Sequence, residues 1–185
     1  PRYVTHSNGN IVYEINGRPA VQTYQEYFGP DLFKLKKGIK RLSILYPLGV
    51  YLPEEDGYLL RNAVSVETNG AIVFQDDVPN NSQVRLMIGT KESCLNATKE
   101  VAESIKKNMA GQKLDFVLVF DSISRYILLG RQAEIELQII KQVLGEKIPI
   151  VGIYTYGEQA PLKAMNYQGK TYFHNQSIAI LGIGS

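Results

Sequence analysis

Residues 114–120 read LDFVLVF and residues 150–156 read IVGIYTY, and how these two runs pair decides the fold. Each is nearly continuous in apolar residues, as a buried strand is. Between them Ala133, Leu137, Ile140 and Leu144 recur on one side of a helix, with Ile135, Ile139 and Val143 beside them. So broad an apolar face needs cover on more than one side. Gly145 and Pro149 close the helix before the second run begins. Strand, helix, strand is the βαβ pattern, whose strands lie parallel through a right-handed crossover.

Parallel strands finish at one edge, and ligands of α/β sheets sit beyond those carboxyl ends. Asp121-Ser122-Ile123-Ser124-Arg125 leaves the first strand there, and Tyr156-Gly157-Glu158 leaves the second. The helix that starts near Ser124 offers free N–H groups to an anion. A last strand from Phe173, antiparallel to IVGIYTY, brings Asn175 to the same edge. Arg125 has the planar fork that suits a carboxylate, while Asp121 and Glu158 suit an ammonium group. Asn175, Ser122 and Ser124 donate or accept, and Tyr154 or Tyr156 supplies a wall. The set matches a small zwitterion such as an amino acid better than a nucleotide or a lipid. A structural reading stands equal to it for Arg125 and Glu158, in which Arg125 bridges to Glu158 or Asp121 and ties two loops together. For Asn175 and the serines the structural reading leads, Asn175 satisfying backbone at a strand end. Arg61, inside the apolar GYLLRNAVSVE, is a further candidate, reaching either solvent or a pocket.

Working outward, IVYEI at 11–15 reads as a strand, Asn16-Gly17 as a turn and Pro19 as the first turn of a helix. Val21, Tyr24 and Phe28 share a helical face that Gly29-Pro30 stops, and a Lys-rich helix then precedes the extended LSILYPLGVYL. GYLLRNAVSVE and AIVFQ flank Thr68-Asn69-Gly70, a hairpin signal whose turn positions want φ > 0. QVRLMIG follows as a third adjacent strand, giving an antiparallel meander. From Cys94 a helix carries Ala97, Val101, Ile105 and Met109 on its inner face, a Glu103–Lys107 pair outside, and Gly111 at its end. The expected fold is α/β to α+β: a mixed β-sheet with an antiparallel meander and a βαβ unit, helices packed on it, and 1–185 forming a single domain.

At 185 residues the chain buries enough surface to need no metal or disulfide staple. A formal charge of +2 argues against a nucleic-acid partner or a membrane surface. Lys34, Lys36, Lys37, Lys40 and Arg41 form the one basic cluster, read as a solvated helix face. Cys94 is the single cysteine, which excludes an internal disulfide and fits a reducing compartment. No apolar run approaches the roughly 18 residues that span a bilayer. The start, PRYVTHSNGN, has neither initiator Met nor secretory core and is expected to lie within a longer protein. Phosphate loops, GxGxxG, HExxH and paired CxxC are all missing, and DSISR lacks the GxSxG elbow. With only His6 and His174, a Ser-His or Cys-His pair has almost no candidates, so no enzyme, cofactor or metal is expected. Cys94 is expected to be a buried thiol, and His174 an ordinary strand histidine before a metal or haem ligand.

The ordered segments YEINGRPAVQTYQEYFG, LLRNAVSVETNGAIVF, LVFDSISR, GIYTYGEQAP and FHNQSIAIL resemble the C-terminal domain of FIST proteins (F-box and intracellular signal transduction) from Ile11 to Leu181. The resemblance implies a cytoplasmic, bacterial-type sensory module that binds small ligands, amino acids among them, and is joined to a signalling output domain or protein. It also implies an N-terminal FIST half as partner. The positions it carries over are Arg61, Phe120 to Arg125, Tyr154 to Glu158, and Asn175. A cysteine is common where this chain has Ser122, so no thiol-dependent role is expected. The alternatives are an interaction module that packs on the N-terminal half without a ligand of its own, and, behind it, a haem sensor using His174.

Overall fold

A computed structural model, describing residues 1–162 and 170–185, divides the chain into two units, Pro1–Ile88 and Gly89–Ser185. The first contains β1 (Arg2–Asn8), β2 (Ile11–Ile15), β3 (Arg18–Pro19), α1 (Gln22–Phe28), α2 (Leu32–Leu45), β4 (Leu48–Leu52), β5 (Gly57–Arg61), β6 (Ala63–Val66), β7 (Ile72–Phe74) and β8 (Gln83–Leu86). An antiparallel meander is formed by the successive strands β1, β2 and β3, not by GYLLRNAVSVE, AIVFQ and QVRLMIG. Asn16 and Gly17 both take positive φ, 51° and 70°, as the tight turn between β2 and β3 demands. In the second hairpin only Gly70 does, at 84°, with Glu67 and Ala71 closing a three-residue loop. That loop is a type I turn followed by a left-handed residue, rather than the two-residue turn expected at Asn69-Gly70.

The sheet of this unit runs β5-β4-β8-β1-β2-β7-β6, with β3 beside β2. QVRLMIG therefore lies between β4 and β1 and not beside AIVFQ, because its partners come from sequence-distant strands that no local pattern reveals. The end strands β5 and β6 are joined by Asn62 alone, so the sheet curls back on itself. Its core combines Val4, Val12, Ile72 and Phe74 with Leu35 and Ile39 of α2 and Tyr24 of α1. LSIL belongs to α2, not to an extended segment; Ser43 is wholly buried there and accepts the Ala63 N–H at 2.5 Å.

The second unit contains α3 (Lys91–Asn108), β9 (Leu114–Ser122), α4 (Ile123–Leu129), a 3-10 turn (Gly130–Gln132), α5 (Ala133–Leu144), β10 (Ile150–Thr155), β11 (Glu158–Ala160), β12 (Tyr172–His174) and β13 (Ile178–Gly184). Thr90 caps α3 with a reciprocal Ser93 bond, which starts the helix ahead of Cys94, and Glu103 pairs with Lys99. β10 runs parallel to β9 over Ile150–Thr155, as the βαβ pattern requires. β13 lies antiparallel on the other side of β9, not beside β10, giving the order β10-β9-β13. The register puts Val117, Val119, Asp121, Ile150, Gly152, Tyr154, Ile178 and Ile180 on one face. Ile140 and Leu144 of α5 pack on that side. The other face carries Phe120, Val151, Ile153, Leu181 and Ile183, all exposed. IVGIYTY is thus an edge strand open to solvent, with Val151 at 60 % exposure and Tyr156 beyond it at 78 %, and not the doubly covered strand its composition suggests.

Candidate functional site

Inward positions along β9 alternate Val117, Val119, Asp121, so the last of them delivers a carboxylate to the helix-covered face at the strand's carboxyl end. Arg125 follows in the first turn of α4. Its Nε–H donates to Asp121 Oδ1 at 3.0 Å, and Nη2 donates to the Cys94 carbonyl at 2.9 Å and to Thr98 Oγ1 at 2.8 Å. Nη2 also bonds Glu136 Oε1 of α5. Thr98 in turn donates to Glu136 at 2.7 Å. Arg125 and Glu136 are each only 4 % exposed. The guanidinium is thus held by this chain's own carboxylates. Burial first, and then the neighbouring Glu136 charge, push the Asp121 carboxyl up to about 7, against the opposing pull of Arg125.

One oxygen of this cluster is unspent. Glu136 Oε2 is buried and has no hydrogen-bond partner among the described residues. Asp121 and Glu136 supply the polar floor of a cleft of about 220 Å³ between the sheet and α5. Its remaining walls are Val119, Ala133, Leu137, Ile140, Ile150, Gly152, Ile153, Tyr154 and Ile178. Tyr154 is half exposed at its rim, its ring 4.9 Å from that of Tyr126. A cleft with apolar walls and a few converging polar groups is the usual form of a small-ligand site.

Glu158 stands nearby in a lock of its own. Its Oε1 accepts from Thr155 Oγ1 at 2.5 Å and its Oε2 from Ser177 Oγ at 2.7 Å, which ties the end of β10 to the start of β13. Burial raises its carboxyl above the usual range, against these hydroxyl bonds. Thr155 Oγ1 also lies 3.3 Å from the Asp121 carbonyl, so the lock and the cluster adjoin. A Cβ on Gly157 would collide with the Phe173 ring, which explains a glycine before Glu158. Asn175 is buried between β12 and β13 and donates to the His174 carbonyl at 3.2 Å. Ser122 and Ser124 are buried, and the Ser122 N–H donates to the Ser177 carbonyl at 3.0 Å. His174 directs Nε2–H at the Ala160 carbonyl, 2.9 Å away. Burial pushes the Cys94 thiol up.

Arg61 belongs to the first unit, buried, with Nη2 2.9 Å from Asp76 Oδ2 and Nε–H donating to the Asp77 carbonyl at 3.0 Å. The charged candidates therefore fall into three settings. Asp121, which lines the cleft, pairs with Arg125, Glu158 joins Thr155 and Ser177, and Arg61 pairs with Asp76. Thr98, Glu136 and Ser177 complete these settings without having been anticipated, while Thr155 lies within the Tyr154 to Glu158 stretch named above. For Glu136 the signal is its place three residues after Ala133 and four before Ile140 on the apolar stripe of α5. Among the described residues no group of three or more His, Cys, Asp or Glu is arranged to hold a metal ion. No helix among them is long and apolar enough to cross a membrane.

The family model of the FIST C domain matches residues 20–161, a span that includes Arg61, Asp121, Arg125, Glu136 and Glu158 and stops short of Asn175 and Ser177. No curated protein and no solved structure matches the chain. The chain belongs to the FIST C domain family, a family of signal-transduction sensory domains.

Proposed function

We propose that this chain is the ligand-sensing part of a cytoplasmic signalling protein and that it takes up one molecule of amino-acid size in the cleft between β10 and α5. The observation that carries the reading is that Glu136, one of the two acids lining that cleft, has a buried carboxylate oxygen, Oε2, with no hydrogen-bond partner among the described residues. Buried polar groups left without partners are rare in folded proteins, and a ligand supplies what the fold does not. The volume of about 220 Å³ lies below the ~300–1,000 Å³ of sites for drug-sized molecules, which favours a smaller guest. An amino acid with an apolar side chain has a tail for Val119, Ile140 and Ile178 and an ammonium for the carboxylates. No bond-making step belongs to this reading; occupancy is passed to an output domain or protein.

Thermal-shift screening with the protein amino acids, followed by NMR titration, tests it. A stabilising ligand should move the resonances of Ala133, Gly152 and Ile153, and Leu137→Trp should fill the mouth and abolish both effects. A screen without a stabilising ligand, or binding indifferent to Leu137→Trp, would sink the reading.

The open sheet face supports a second role beside it. Phe120, Val151, Ile153, Leu181 and Ile183 form an apolar surface on a three-stranded sheet whose edge β10 carries no charge or proline to blunt it. The N-terminal FIST half is the proposed cover. Mixing the two halves should give a stable complex in sedimentation, weakened by Val151→Lys with Leu181→Asp. Failure of the halves to associate would remove this role.

A further inference from the structure

The charge arithmetic of the cleft floor identifies a class of ligand. Two carboxyls, Asp121 and Glu136, are served by the single guanidinium of Arg125. Arg125 takes one oxygen of each, and Thr98 adds a donor to the same Glu136 oxygen. With both carboxyls ionised, one negative charge is left without a counter-charge in a buried place, which is strongly unfavourable. Nothing in the cleft wall supplies it, since Asp121 and Glu136 are the only charged residues among its lining. A proton satisfies the empty site. A bound cation would satisfy it better, because an ammonium donates to Glu136 Oε2 as well as bringing the missing charge.

We propose, on the reading that this cleft is the ligand site, that its ligand is a primary ammonium ion with a branched apolar tail, whose entry displaces one proton held between Asp121 and Glu136. The exchange balances: an ammonium enters with its charge, the carboxyl proton leaves to solvent, and the cluster ends as two carboxylates with two cations. The groups that face Asp121 are Arg125 from α4, Glu136 from α5, Cys94 from α3 and Tyr154 from β10. Cys94 and Tyr154 stay neutral near pH 7, since burial raises both. Asp121, raised to about 7, is the group with a proton to give near neutrality. An α-carboxylate on the ligand meets no cation in the lining, so the amine alone carries the recognition and an amino acid binds through it.

Calorimetry on the whole chain at about pH 6, in two buffers of different ionisation enthalpy, distinguishes the possibilities by counting protons. The probes are isopentylamine, isopentyl alcohol, isovalerate and leucine. Isopentylamine should bind at least about tenfold tighter than the alcohol or isovalerate, release about one proton, and lose at least about tenfold in Glu136→Gln. Should Glu136→Gln fail to fold, Asp121→Asn gives the same readout. Alcohol binding as tight as amine binding, no proton release, or indifference to both variants would overturn the ammonium assignment while leaving the cleft as a ligand site. If no probe binds but another small molecule does so at the cleft, the assignment again falls alone. If no molecule binds there at all, the assignment and the reading beneath it fall together.

Discussion

Arg125 and Glu136 lie eleven residues apart in the chain, on two different helices, and the guanidinium of one holds the carboxylate of the other away from water. Asp121 completes the arrangement from the strand before them. Arg125→Ala would leave two buried carboxylates without their cation. Removing one partner of a buried pair costs ~3–5 kcal/mol, and we expect a loss of that order on chemical denaturation followed by circular dichroism. Arg125→Lys should recover only part of it, because an ammonium cannot address both carboxylates as the fork does. A loss below ~1 kcal/mol for Arg125→Ala would contradict the described network.

The pH dependence of stability follows from Asp121, with a sign opposite to that of most carboxylates. Its carboxyl rises from the ordinary 3.8 to about 7 on folding, so the folded chain holds this proton more tightly than the unfolded one. The contribution is present in full below about pH 4 and is lost as pH rises through about 7. Its slope is at most ~1.4 kcal/mol per pH unit. Thermal unfolding between these limits should show a falling component in the wild type that Asp121→Asn lacks. Parallel curves for the two proteins would show that Asp121 is not the group.

Glu158 and Ser177 are joined at 2.7 Å across the start of β13, with Thr155 on the other carboxylate oxygen. Glu158→Ala should cost ~1–3 kcal/mol, since the Ser177 hydroxyl loses its acceptor and Thr155 Oγ1 is left only the longer contact to the Asp121 carbonyl. Ser177→Ala should cost less, and the double-mutant cycle should give a coupling of ~0.5–3 kcal/mol. Additive losses would mean that the two side chains do not act on each other.

Gly157 has no room for a methyl group, because the Phe173 ring already occupies the space a Cβ would take. Gly157→Ala should therefore destabilise by ~1–3 kcal/mol. Phe173→Leu in the same chain should relieve most of that strain. An alanine tolerated without the second change would show that the ring swings aside freely.

Much of the second unit could be read along the chain. Two apolar runs joined by a long amphipathic helix make a parallel pair, and this local logic fixes the neighbourhood of Asp121 and Thr155. Arg125 was recognisable as a partner for Asp121 because the two lie four residues apart across the strand-to-helix junction. Glu136 was hidden by its surroundings. Beside Glu134 at the start of α5 it reads as one of two acids favoured by the helix dipole, and only its angle around the axis turns it inward. Thr98 was hidden in the same way among the polar residues of α3. In the first unit the hairpins were marked by Asn-Gly turns, while the place of β8 depended on strands far away in sequence.

By itself the sequence determined most of the segments that are strands and helices, that β9 and β10 run parallel, and that acidic and basic side chains gather at their carboxyl ends. These follow from periodicity, turn chemistry and chain connectivity, which act over short spans. Only the tertiary structure decided that β10 is an open edge, that Arg125 is consumed by two carboxylates, and that one buried oxygen of Glu136 is left without a partner among the described residues. Cover and charge balance depend on how many partners arrive from distant parts of the chain, and no local pattern of residues contains that number.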